Sequence, residues 1–78
     1  MARVTLLTRP GCHLCDDART VLETVLGERG DAFDERSIAD DPALELEYSE
    51  DIPVVLIDDR VHTIWRVDPA RLRAALDR

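Results

Sequence analysis

A short apolar run, a proline–glycine break and two cysteines follow one another in RVTLLTRPGCHLCDDART, Arg3 to Thr20. No other stretch constrains the fold as much, because it dictates a strand, a tight turn and a helix start in immediate succession. Arg3–Thr8 is rich in strand-forming residues and bounded by Pro10–Gly11, so it reads as a buried strand. Beyond Gly11, the residues Leu14, Ala18, Val21, Leu22 and Val25 recur at spacings of three and four. That is the apolar stripe of a helix from about Cys12 to about Glu28, with Gly27 and Gly30 near its stop.

The rest of the chain supplies a smaller set of elements. Asp31–Ile38 is a strand candidate polar enough to lie at a sheet edge. DPALELEY (Asp41–Tyr48) and DPARLRAAL (Asp68–Leu76) each place an aspartate before a proline, which is a cap followed by the first helical position. Between them Pro53–Ile57 is continuously apolar, as a strand covered on both faces would be. Asp58–Arg60 forms a tight turn and Val61–Trp65 returns as a second strand. The order is strand, helix, strand, helix, strand, strand, helix, and residues 1–78 read as a single domain with no repeat or linker.

Charge removes several classes of function. The chain carries a net charge of −7 and no lysine. That balance repels phosphate backbones and anionic bilayers, so neither nucleic acid nor membrane is an expected partner. No window reaches the length of a membrane span, and no signal-peptide pattern opens the sequence. The expected compartment is the cytoplasm, where a lone close pair of cysteines is catalytic or metal-binding more often than structural.

The chemistry therefore centres on Cys12-His13-Leu14-Cys15. Cys12 at a helix N-terminus faces unpaired backbone N–H groups and the positive end of the helix dipole, which favour a thiolate. Arg9 and His13 add to that effect, while Asp16 and Asp17 oppose it. Cys15 lies one turn further on, sharing a face with Ala18 and Leu22, so it is expected to be sheltered. An exposed nucleophilic thiol beside a sheltered resolving thiol suits disulfide exchange. Zinc normally takes four ligands, and only His13 and His62 are available beyond the cysteines. Haem attachment needs a histidine directly after the second cysteine, where Asp16 stands. A binding module or soft-metal carrier remains the alternative, since two thiolates can hold a monovalent copper ion. His62 reads as a strand residue with a satisfied hydrogen bond, Trp65 and Tyr48 as core or rim packing, and Asp40-Asp41 as a turn and a cap. His13, lying between the cysteines, is a candidate for tuning the pair.

With the cysteine pair placed and Ile52-Pro53 opening a later strand, the chain resembles the glutaredoxins of the thioredoxin fold over essentially its full length. The resemblance implies an α/β fold of order βαβαββα: a four-stranded mixed sheet, the strands from Arg3 and Pro53 central, three helices on its faces and the cysteines at one end. It implies a thiol–disulfide oxidoreductase in which Cys12 is the nucleophile and Cys15 the resolving thiol. It makes Pro53 a cis-proline facing the pair. Arg9 falls where many glutaredoxins keep a basic residue near a glutathione carboxylate. His13, Leu14 and the backbone of Ile52 then border the substrate, in a short form of strand addition. No metal or organic cofactor is needed for the exchange, and the protein is expected to act as a monomer on protein or small-molecule disulfides.

The sequence also departs from that pattern. His13-Leu14 replaces the usual Pro-Tyr between the cysteines, and Asp51-Ile52 replaces the usual Thr-Val before the proline. The glycine pair with a following aspartate, which binds the glutamyl end of glutathione, is missing; IWRVDPA (Ile64–Ala70) stands there instead. Glutathione is accordingly expected to be a poor electron donor, and a thioredoxin-reductase-type donor or a dedicated partner the better one. The docking surface is expected around His13, Leu14 and Ile52.

Overall fold

The first strand, β1 (Val4–Thr8), is buried along its whole length because it is paired on both sides. In the computed structural model, which describes residues 3–77, it is followed by α1 (His13–Arg29), β2 (Asp34–Ser37), a 3₁₀ turn (Ile38–Asp40) and α2 (Pro42–Tyr48). Then come β3 (Val54–Ile57), β4 (Arg60–Ile64) and α3 (Pro69–Leu76). The strands stand in the order β2-β1-β3-β4, with β1 parallel to β2, and the β1–β3 and β3–β4 pairs antiparallel. This is the thioredoxin-type mixed sheet in the βαβαββα order, with β1 and β3 central.

Alternation along the two central strands divides the core. Val4 and Leu6 of β1 and Val55 of β3 face Ala18, Leu22, Val25 and Leu26 of α1 and Leu72 of α3. Leu7, Val54 and Leu56 point to the other face, where they meet Cys15, Ile38 and Ile52 and, at the margin, Leu44 and Tyr48 of α2. The first cluster is the mechanical base of the molecule. Leu22 is 0% exposed within it, and truncating such a leucine to alanine typically costs about 2–5 kcal/mol.

Local rules account for the boundaries. Cys12 is the N-cap of α1, so the helix proper begins at His13. Gly30 ends it at φ 72°, and the Asp31 N–H donates to the Leu26 carbonyl at 2.9 Å, a Schellman-type stop that leaves Asp31–Phe33 outside any strand. The strand expected over Asp31–Ile38 is therefore shorter. It also loses Ile38, because the Ser37 hydroxyl accepts from the Ala39 N–H and starts a 3₁₀ turn that buries Ile38. Asp41 and Asp68 cap α2 and α3 as their sequence signals predict. The β3–β4 turn is only Asp58-Asp59, both at positive φ (52° and 67°), the sign a two-residue hairpin turn requires. β4 accordingly starts at Arg60 and stops at Ile64, one residue before Trp65.

One polar expectation fails. His62 on β4 has no satisfied ring: its Nε2 is buried without a hydrogen-bond partner. Burial, aided by the nearby Arg71 charge, pushes its pKa below the ordinary histidine value.

Candidate redox site

The two cysteines sit where β1 hands the chain to α1, and the helix start gives them unlike surroundings. Cys12 has extended dihedrals (φ −99°, ψ 111°), and its Sγ accepts the Cys15 N–H at 3.2 Å. The sulfur thus does the work that a serine or aspartate oxygen does at most helix starts. Its side chain is half-buried, with an edge in solvent. Cys15 is only 1% exposed, inside the cluster of Leu7, Ile38, Ile52 and Val54. Both thiols are free.

Burial is the largest reason that the Cys15 thiol is pushed up to about 11. Its hydrogen bond to Cys12 and the charge on that neighbour raise it further, while a backbone hydrogen bond at Arg9 and the Arg19 charge pull it down. Cys15 is therefore a protonated thiol at neutral pH.

The flank towards β2 is closed by ions. Arg19, on α1, holds Glu35 of β2 in a two-point fork, Nε to Oε1 at 2.6 Å and Nη2 to Oε2 at 2.8 Å, and Asp16 Oδ1 at 2.8 Å with Nη1. That fork draws the Glu35 carboxyl below its ordinary pKa. With Cys12, Cys15 and Ser37 these groups line a cleft of about 280 Å³. Sequence reasoning missed Arg19 and Glu35, which come together only because β2 pairs with β1.

The opposite flank is an open groove of about 470 Å³ lined by Leu14, Ile52 and Ile64, by Trp65 and by Arg9, Arg66 and Glu50. Arg9 is exposed and donates from Nη1 to the Ser49 carbonyl at 3.1 Å. The Ile52–Pro53 peptide bond is cis, and both residues are buried. Ile52 corrects an expectation: its side chain is 4% exposed, packed with Cys15 and Val54, so it floors the groove and offers no projecting surface. Leu14 is half-buried beside it, whereas His13 is exposed on the first turn of α1 and lines neither cavity.

Trp65 takes the rim position of the two the sequence leaves open. It is 53% exposed, not core. It has φ 66°, and the Arg66 N–H donates to the Ile64 carbonyl at 2.8 Å across it, closing a γ-turn. With positive φ at the centre, that turn is the rarer, strained form. A bulky residue so held typically stores about 1–3 kcal/mol. Two hydrogen bonds hold it there: the Trp65 N–H to the Pro53 carbonyl at 2.8 Å, and the indole Nε1–H to the Glu50 carbonyl at 3.1 Å.

Among the described residues, no group of three or more His, Cys, Asp or Glu side chains is placed to hold a metal ion. None of the described helices is long and apolar enough to cross a membrane.

Known proteins share this fold. The profile of the glutaredoxin-like domain (DUF836) matches residues 3–77. An uncharacterized protein of Mycobacterium tuberculosis is 40% identical, with 97% of this chain and 84% of the relative aligned. The X-ray structure of a structural-genomics target protein from X. campestris is also 40% identical and superposes with a TM-score of 0.78, covering 95% of each chain. Glutaredoxin 1 from Francisella tularensis, complexed with cacodylate, is 26% identical with a TM-score of 0.58, covering 99% of this chain and 94% of that one. A cysteine pair on a glutaredoxin-like fold is a thiol-based redox site, and it makes the protein a thiol–disulfide oxidoreductase. By sequence and by fold, the chain belongs to the glutaredoxin-like domain family.

Proposed function

We propose that Cys12 attacks and Cys15 resolves in a two-step exchange. The observation that carries this reading is the contrast within the pair: Cys12 Sγ lies at the solvent edge, accepting a helix N–H, and Cys15 is enclosed beneath it. The Cys12 thiolate attacks one sulfur of a substrate disulfide, R–S–S–R′. A Cys12–S–S–R bond forms as R′–S⁻ leaves and takes up a proton. Cys12 is then neutral, so two of the influences that hold the Cys15 proton, its hydrogen bond to Cys12 and the Cys12 charge, disappear. Arg19 and the backbone at Arg9 still favour the Cys15 anion. Cys15 loses its proton and attacks Cys12 Sγ, R–S⁻ leaves, and an intramolecular Cys12–Cys15 disulfide remains. A donor returns two electrons and two protons to restore the dithiol.

Pro53 and the backbone of Ile52 serve as the docking edge for an extended substrate, with Arg9, His13 and Leu14 at its border. The donor we assign is of the thioredoxin-reductase type or a dedicated protein, with glutathione a weak substitute. Trp65 and Arg66 place side chains where glutathione would need open backbone, and losing several hydrogen bonds of about 1 kcal/mol each weakens binding by orders of magnitude. The domain works as a monomer in the cytoplasm, where thiols are kept reduced.

The test is limiting alkylation of the reduced protein at neutral pH followed by peptide mapping. Cys12 is expected to be labelled first, and Cys15→Ser to trap a mixed disulfide that Cys12→Ser does not form. Faster labelling of Cys15 would reverse the roles. Paired turnover assays on one disulfide, glutathione with its reductase against thioredoxin reductase with NADPH, test the donor. Fast turnover with glutathione alone would overturn that assignment.

A further inference from the structure

Among the described residues, three non-glycine residues have positive φ. Two of them, Asp58 and Asp59, make the hairpin turn that needs this sign, and aspartate tolerates it. Trp65 has no such excuse. It follows the last strand, is about half exposed, and is a residue type for which the left-handed region is an outlier. Burial does not explain the placement, because the indole leaves much of its surface in water. The two hydrogen bonds to the Pro53 and Glu50 carbonyls instead fix the ring against the groove wall formed by the segment before β3. A rigid, exposed aromatic beside a cleft is the kind of anchor on which binding energy concentrates.

The charge of the groove points the same way. The chain as a whole carries −7. Arg9 and Arg66, both on the groove, form no ion pair among the described residues, a state they share with Arg3, Arg60 and Arg71 but not with Arg19, Arg29, Arg36 and Arg73. Of the unpaired arginines, only these two line the groove. Glu50 is the single acid in the lining, so this concavity is net positive on an acidic protein. The walls between the two guanidinium groups are apolar: Leu14, Ile64 and the indole. The groove adjoins the cleft that holds the cysteines, because Arg9 lines both cavities and Ile52 packs in the cluster that holds Cys15.

We infer that this groove selects the substrate: it takes a segment of a protein disulfide in which an aromatic side chain and a carboxylate both lie beside the reactive cysteine. The aromatic ring stacks on Trp65, and the carboxylate meets the Arg9 and Arg66 guanidinium groups. Glutathione supplies carboxylates but no side chain for the apolar wall, so it fills half of the requirement. The inference rests on the redox reading above, and the experiment keeps the two separate.

Trp65 is the only tryptophan in the chain, so its emission reports on the groove without any redox step. Reduced wild-type protein is titrated with four unreactive probes: three short peptides with serine in place of the cysteine, and S-methylglutathione. The peptides flank the serine with Phe and Glu, with Phe and Gln, or with Ala and Glu. The Phe–Glu peptide is expected to shift the emission and to bind about tenfold or more tightly than each of the others, a difference of about 1.4 kcal/mol per tenfold. In Trp65→Gly, where glycine accepts the positive φ, the matching cysteine peptides used as disulfides are expected to lose the preference for Phe over Ala. A merely structural role for Trp65 would instead slow every substrate equally. Equal affinities in the wild type, tighter binding of S-methylglutathione, or no emission change would each overturn the inference. Trapping of a mixed disulfide between Cys15→Ser and dithiodipyridine separates the readings. If it forms while the peptides show no ranking, the groove assignment fails and the redox reading stands. If none forms, the redox reading itself fails.

Discussion

On the β2 side of the cysteine loop the cleft charges of Arg19, Glu35 and Asp16 answer one another: Arg19 is forked onto Glu35 and also holds Asp16, tying α1 to the edge strand. On the β4 side Arg9 and Arg66 have no ion partner among the described residues and stand around a strained, exposed indole. Both flanks border the cysteine loop, sharing Arg9 between them, and both use arginine. The difference is that the first has its interactions complete within the fold, whereas the second leaves them open. Charge that is neutralised in this way organises the helix start; charge left open, beside rigid apolar surface, is available to something that arrives.

The largest expected effect tests whether the loop between these flanks is the reactive edge at all. Cys12→Ser should lower disulfide-exchange turnover by at least about a thousandfold, while Cys15→Ser keeps the single-turnover attack on an activated disulfide. A Cys12→Ser protein that still turned over would detach both flanks from the chemistry. The next effect concerns the closed thiol. Cys15 keeps its proton up to about pH 11 in the folded protein, against an ordinary value of 9.0. The stability linked to this raised pKa is fully present below pH 9.0, and it is lost as the pH rises towards 11. The reduced protein should lose on the order of 2 kcal/mol across that window in urea titrations, and Cys15→Ala should remove that part of the slope.

Smaller effects separate the flanks from each other. Arg19→Met should cost about 1 kcal/mol of stability, because the fork is partly exposed and screened, and should leave the ranking of substrates as it was. The contribution is linked to a lowered carboxyl pKa at Glu35, so it is present above pH 4.5 and lost as the pH falls further. Wild type and variant should therefore converge in stability in acid; divergence there would mean that Arg19 acts through something other than the carboxylate. The smallest effect is expected for Arg66→Gln: roughly a threefold rise in KM for an acidic disulfide, vanishing at high salt, with an unchanged melting temperature. A melting shift without a KM change would make the open flank structural, like its counterpart.

The features legible in the sequence were those that local chemistry determines. The break at Pro10–Gly11, the spacing from Leu14 to Val25 and the Asp–Pro caps at Asp41 and Asp68 each specify an element from within a few residues, and the structure follows them. The contrast between Cys12 and Cys15 was legible for the same reason, since one helical turn sets it. What escaped depends on partners distant in the chain. Arg19 meets Glu35 only through the parallel register of β1 and β2. Trp65 holds its backbone only because the Pro53 and Glu50 carbonyls stand ready to accept. Ile52 reads as part of an exposed docking surface beside a proline, yet the second core cluster closes over its side chain. His62 sits in a strand whose pattern gives no sign that its ring nitrogen lacks a partner.

The ends of the sheet carry one more consequence, for how the chain tolerates its own company. β2 is four residues long and reads Asp34-Glu35-Arg36-Ser37, three of them exposed and charged. A strand added there from another molecule would have to lay its backbone along three charged side chains with little length to hold it. The other border, β4, is five residues long and begins with Arg60, leaving Val61 as its only exposed large apolar side chain. Neither border offers a long, flat, greasy template. At high concentration the folded chain therefore resists edge-to-edge growth, and its central strands stay sealed between two unattractive margins.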